Sequence, residues 1–113
     1  MFKVIFYRSV DGQNFVKEFL DNLQESAREK VIADIMFLEE YGHQARRPRA
    51  DYLKDKIHEL RTTLGHLKIR LLYFFDKKLI VLTHGFYKKS DAVPPNEIAK
   101  AVKIKRDYFN RKG

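Results

Sequence analysis

Cysteine is absent from the 113 residues, which excludes a disulfide framework and any thiolate metal site. A reducing compartment is compatible with that absence, and the cytoplasm is the default expectation. No apolar run approaches the length that spans a bilayer, and Met1 to Arg8 is too short for a signal peptide's apolar region, so neither a membrane segment nor a targeting segment is expected. Glycine numbers only five, and Gly65 and Gly85 stand alone without the spacing of a phosphate-cradling loop. Acidic clusters suited to a hard divalent ion are missing, and His43, His58, His66 and His84 lack a ligand-like spacing. No metal or other cofactor is therefore expected. Ser9, Ser26 and Ser90 fall in turns or at a helix cap, which leaves serine nucleophile chemistry without support.

What is present is enough apolar material, 44% of residues, to bury a core in one domain spanning residues 1–113. The net charge of +8 is unevenly distributed. Residues 1–53 hold 8 Lys and Arg against 9 Asp and Glu, whereas residues 54–113 hold 15 against 6. A basic half attracts polyanions by counterion release, which points to RNA, DNA or an acidic protein. The plainer alternative is a basic protein with no such partner. Membrane-surface binding is disfavoured because the cations do not flank a strongly apolar helical face.

Phe2 to Tyr7 is β-branched and aromatic and reads as a strand, expected within a sheet and not at an edge. Phe15, Val16, Phe19, Leu20 and Leu23 recur at helical spacing, predicting a helix over 14–23. Ser26 followed by Glu29 matches a capping box for a second helix, with Ala27, Val31, Ile35 and Leu38 on one stripe and Gly42 near its end. The segment 43–52, with Arg46-Arg47-Pro48-Arg49, has no periodicity and reads as a loop that either touches phosphate or is simply solvated. Three antiparallel strands are expected next: 57–61, ending in a break at 62–65; 66–75, returning at Asp76-Lys77-Lys78; and a nearly continuous apolar strand from Leu79, expected to be central. Alternation in the second strand sends Leu67, Ile69, Leu71, Tyr73 and Phe75 to one face, expected to be core, and Lys68 and Arg70 to the other. Ile57, Glu59 and Arg61 share a face opposite His58 and Leu60. Pro94-Pro95 fits a helix start, with Ile98, Val102, Lys105 and Phe109 along the stripe.

The fold class predicted is α+β, an N-terminal strand and helical hairpin packed on a mainly antiparallel twisted sheet, with a C-terminal helix. Its candidate site is the strand face bearing Arg61, Lys68 and Arg70, joined by Lys88 and Lys89 at the end of the neighbouring strand. Arginine forks engage phosphate oxygens in pairs, lysines add point charge, and Tyr73 or Tyr87 offers a ring for an unpaired base. RNA cleavage without a metal needs a base for the 2′-hydroxyl, charge stabilisation at phosphorus and an acid for the 5′-oxygen. Arginines suit the second task; a lysine whose pKa is lowered by like charges, or a histidine, suits proton transfer. The structural alternative is that Arg61 and Arg70 pair with Glu59 or Asp76 across the sheet.

The ordered set Leu53-Lys54, Ile57-His58-Glu59-Leu60-Arg61, Arg70-Leu71-Leu72-Tyr73-Phe74-Phe75, His84-Gly85-Phe86-Tyr87-Lys88-Lys89 and Pro95-Asn96-Glu97-Ile98 resembles RelE-type toxins of bacterial type II toxin-antitoxin pairs, in the HigB or phage-derived branch of the RelE and ParE superfamily. That resemblance implies an endoribonuclease that cuts mRNA in the ribosomal A site and is silenced by a cognate antitoxin, expected to be an acidic helix-turn-helix protein. It makes Arg61 and Arg70 phosphate-contacting arginines and Lys88 or Lys89 the basic residue after the last strand. Glu59 is a departure, since better-studied relatives carry lysine near that position. The acid and base remain open among Glu59, His58 and His84. Two other functions stay in view: a ParE-like toxin that binds a protein target such as DNA gyrase, and a noncatalytic RNA-binding module.

Overall fold

The computed structural model describes residues 1–113. Its elements run β1 (Lys3–Phe6), α1 (Phe15–Asp21), α2 (Glu25–Tyr41), a 3-10 turn (Gly42–Gln44), β2 (Ala50–Lys54), β3 (Ile57–Leu64), β4 (Leu67–Asp76), β5 (Leu79–Tyr87) and α3 (Pro95–Lys112). The five strands form one sheet in the order β1-β5-β4-β3-β2, antiparallel except where β1 lies parallel to β5. This is the α+β architecture the sequence predicts, with β5 in the sheet's interior.

β1 is an edge strand, contrary to expectation, and its outer side is closed by a side chain. The Val4 N–H donates to Glu39 Oε2 of α2 at 2.9 Å, so the edge is capped without another strand. α1 starts where its Asn14 side chain accepts from the Lys17 N–H, as an N-cap should. No capping box forms at Ser26, because α2 begins one residue earlier at Glu25 and Gln24 caps it without a side-chain bond. Arg28 instead reaches back to the carbonyls of Leu20 and Leu23, tying the two helices together with bonds of 2.9 and 2.7 Å. Gly42, at φ +50, ends α2 as its position suggested.

β2 begins inside the segment read as a loop, at Ala50. Its alternation rests on Ala50, whose single methyl is fully buried yet carries little hydrophobic signal. β2 and β3 meet through Asp55 and Lys56, both at positive φ, the backbone of a tight two-residue hairpin. The expected break at Thr62 is absent. β-branched Thr62 and Thr63 continue the strand, and the turn into β4 needs only Gly65 and His66, with Gly65 at φ +59.

Both faces of the sheet carry a hydrophobic cluster. Leu60, Ile69, Leu71, Tyr73, Ile80 and Leu82 pack under α1 and α2; Ile57, Leu72, Phe74 and Val81 pack under α3. The buried stripe of α3 is Ala101 and Ile104, with Val102 and Tyr108 partly buried alongside; of the expected Ile98, Val102, Lys105 and Phe109, Val102 packs on the cluster, and Phe109 reaches Phe74 while staying 41% exposed. Polar anchors set this rotation: Tyr108 Oη donates to Asp76 at 2.8 Å, Tyr7 Oη donates to Asp107 at 2.5 Å, and Lys112 pairs with Asp76 at 2.9 Å.

Candidate nucleic-acid interface

Beyond the covered part of the α3 face, β3, β4 and β5 present cations side by side. Arg61 is the cross-strand partner of Arg70, and Thr63 that of Lys68, so Arg61, Lys68 and Arg70 share one face. On the other flank Arg70 opposes Phe86, and the Lys88 N–H bonds the Lys68 carbonyl at 2.7 Å. Directly opposed side chains in such a ladder stand about 5 Å apart. Four predicted site residues from three strands thus converge.

Lys88 joins them because of an irregularity that the sequence reading missed. The β4–β5 register shifts between Leu72 and Tyr73, placing both Thr83 and His84 opposite Leu72. One extra residue inverts the alternation downstream, so His84, Phe86 and Lys88 lie with Arg70, and not with Ile80 and Leu82. The Thr83 hydroxyl holds the bulge by donating to the Leu72 carbonyl at 3.2 Å. A polar Thr83-His84 pair inside an otherwise apolar strand was the available signal.

Arg70 is not a surface residue. It is 2% exposed, with Nε 2.9 Å from Glu59 Oε1 and Nη1 donating to its neighbour's carbonyl at Ile69. The Nε–H does not point at Oε1 well enough for a hydrogen bond, so the contact is mainly coulombic. Glu59 therefore serves as the counter-ion that the structural alternative foresaw, while Asp76 belongs to the α3 anchor. Burial lowers the Arg70 pKa and Glu59 opposes that shift. Above this pair sit Arg61, partly exposed, Lys68, exposed, and Lys88, partly exposed. The Lys88 pKa falls below the usual lysine value through desolvation and then through repulsion from Arg70, Arg61 and Lys68.

The tyrosines expected to stack on bases are elsewhere. Tyr73 is 1% exposed and lies under the opposite face, between His58 and Phe75. Tyr87 also points to that face, where it packs on Phe19 at 5.4 Å. Lys89 follows the end of β5 and is exposed. His58 sits beside Tyr73 and is remote from the cations in register. His84 shares the cationic face but is buried, its ring held between Thr83 Oγ1 and Glu97 Oε1, each at 2.9 Å. Burial lowers its pKa and the Glu97 contact opposes that shift. No group of three or more His, Asp or Glu side chains is arranged to hold a metal ion.

Residues 18–106 match the family of phage-derived Gp49-like proteins (DUF891). The chain belongs to that family. The Gp49-like family is associated with toxins of toxin-antitoxin systems and is related to RelE/HigB-type toxins, which makes an antitoxin the natural partner class. The matched stretch of this Gp49-like protein contains every cation of the cluster together with Glu59, His84 and Glu97, and leaves out residues 1–17, with β1 and the start of α1, and residues 107–113 at the end of α3. A comparison with curated proteins gave no match. No helix is long and apolar enough to cross a membrane.

Proposed function

We propose that this Gp49-like protein is the toxin of a type II toxin-antitoxin pair and acts in the cytoplasm as an mRNA endoribonuclease on the ribosome, as a single domain. The observation that carries the reading is the meeting of Arg61, Lys68 and Lys88 from three strands over the buried Arg70–Glu59 pair. In attack of the 2′-hydroxyl on phosphorus, Arg61 and Lys68 stabilise the charge that develops on the phosphoryl oxygens. Lys88, with its lowered pKa, delivers a proton to the departing 5′-oxygen, while the proton of the attacking 2′-hydroxyl passes to a water molecule, leaving a 2′,3′-cyclic phosphate and a free 5′-hydroxyl. Glu59 keeps Arg70 charged in the interior, and Arg70 contributes field and not contact. An acidic helix-turn-helix antitoxin neutralises the toxin by covering the cationic face.

Primer extension on mRNA from expressing cells, and on mRNA loaded on purified ribosomes, tests this. New 5′ ends are expected with the native chain and should disappear with Arg61→Ala and Lys88→Ala; intact transcripts with native, folded protein overturn the proposal. The burial of Arg70, and the lack of an accessible histidine or tyrosine on the cationic face, favour one other reading, a ParE-like toxin that binds DNA gyrase. DNA-damage signalling without mRNA cuts is its signature.

A further inference from the structure

On the sheet face opposite the cation cluster, beyond the cover of α1 and α2, lies an open cleft of about 380 Å³. That volume falls within the roughly 300–1,000 Å³ of small-ligand sites. Its walls are aromatic and come from four separate segments. His43 of the 3-10 turn stacks on Phe75 at 3.8 Å, His58 stacks on Tyr73 at 5.1 Å, and Tyr52 of β2 meets the His58 ring edge-on at 5.0 Å. Tyr52 is half exposed, so much of its ring remains open to a ligand. Arg46 and Arg47 line the rim, Arg47 being steadied by Asp51 at 2.8 Å.

The floor is polar and lacks internal partners. Tyr73 and His58 both line the cleft, and neither the Tyr73 hydroxyl nor the His58 ring makes a hydrogen bond within the chain. Groups that reach an open cleft without a partner inside the chain are free to bond a molecule seated there. Burial and the nearby His43 push the His58 pKa down to about 4, so at neutral pH the ring is uncharged and offers one donor and one acceptor.

We propose that this cleft is a binding site for a nucleotide unit, with the base between the His43 and Tyr52 rings, its edge bonded to Tyr73 Oη and His58, and its phosphate on Arg46 and Arg47. A peptide aromatic ring would fill the same walls but carries no edge of donors and acceptors to satisfy the floor. The stacking rings, the paired floor groups and the arginine rim match the three parts of a nucleotide. The site is independent of the cationic face and of the cleavage assigned to it.

Nuclear magnetic resonance titration of the full chain with adenosine 5′-monophosphate, adenosine and inorganic phosphate tests the assignment. Shifts are expected at His43, Tyr52, His58 and Tyr73, with the monophosphate binding roughly tenfold or more tighter than either fragment. Arg46→Ala should weaken the monophosphate about tenfold and leave adenosine unchanged. Tyr73→Phe, which removes only a hydroxyl, should weaken both while the thermal midpoint stays the same or rises. A 5′-phosphorylated oligoribonucleotide that binds better than the monophosphate identifies an RNA end as the source; weaker binding identifies a free nucleotide. Absence of shifts at millimolar monophosphate, shifts confined to Arg61, Lys68 and Lys88, or phosphate binding as tightly as the monophosphate overturns the proposal. None of these readouts depends on cleavage, so a failure here and a failure of the nuclease reading are separately visible.

Discussion

Arg61 and Arg70 stand directly opposite one another on neighbouring antiparallel strands. Like charges in that relation destabilise a sheet. The conflict is resolved by depth: Arg70 turns into the interior against Glu59, two residues before Arg61 on the same strand, while Arg61 remains accessible. The result is a charged surface supported by a neutralised pair, and the two layers make different demands on stability and on activity.

Truncating one member of that pair should be costly, because it leaves the other ion uncompensated in the interior. Glu59→Gln is expected to lower unfolding free energy by about 3 kcal/mol in urea titrations. Replacing both members, Glu59→Leu with Arg70→Met, should recover most of that loss. A double variant no more stable than Glu59→Gln would show that the pair is not the origin of the effect.

His58 and His84 both have pKa values below the ordinary histidine value, His58 at about 4, and both shifts arise first from burial. Protonation therefore favours the unfolded chain. Their contribution is complete above the unfolded value near 6.5 and is lost as pH falls toward the folded values. For His58, which is partly buried, a loss on the order of 2 kcal/mol between about pH 6.5 and 4 is expected. Denaturant titrations of His58→Asn should give a flatter pH profile over that window, with the His84 share remaining; an unchanged slope would contradict the assignment.

Gly85 lies where a methyl group has no room. A Cβ there would meet Leu71 Cδ2 and Phe19 Cδ2, each at 2.6 Å. Gly85→Ala is expected to cost about 1–3 kcal/mol through overpacking. Combining it with Phe19→Leu should cost at least ~1 kcal/mol less than the sum of the single changes. Strict additivity in thermal unfolding would place the strain elsewhere.

The elements legible in the sequence were those with strong periodicity. The helical stripes of α1 and α2 and the β4–β5 hairpin lie where spacing puts them, and the cations of β3 and β4 share a face because a period of two requires it. What escaped was set by tertiary contacts. β2 hides behind Ala50, whose burial costs nothing to pattern yet pairs with Leu60. The rotation of α3 follows Tyr108 and Asp107, polar residues that an apolar stripe ignores. Tyr73 was counted with the site on residue type although its odd position already placed it opposite Arg70. The bulge at Thr83 brings Lys88 to the cluster, and no simple alternation carries that information.

Salt dependence separates a focused phosphate contact from diffuse attraction by a basic protein. Each phosphate neutralised on a single strand adds about 0.7 to the slope of log affinity against log salt. Arg61→Ala, Lys68→Ala and Lys88→Ala should each flatten the slope for a short single-stranded RNA by about 0.7, and the triple change by about 2. Lys17→Ala is the control, since Lys17 lies on α1 and is engaged by Asp21 at 2.7 Å. Stability should stay within about 0.5 kcal/mol for these surface changes, so lost affinity cannot be attributed to unfolding. If Lys17→Ala flattens the slope as much as Arg61→Ala does, RNA is held by overall charge and the three-strand cluster has no special part in it.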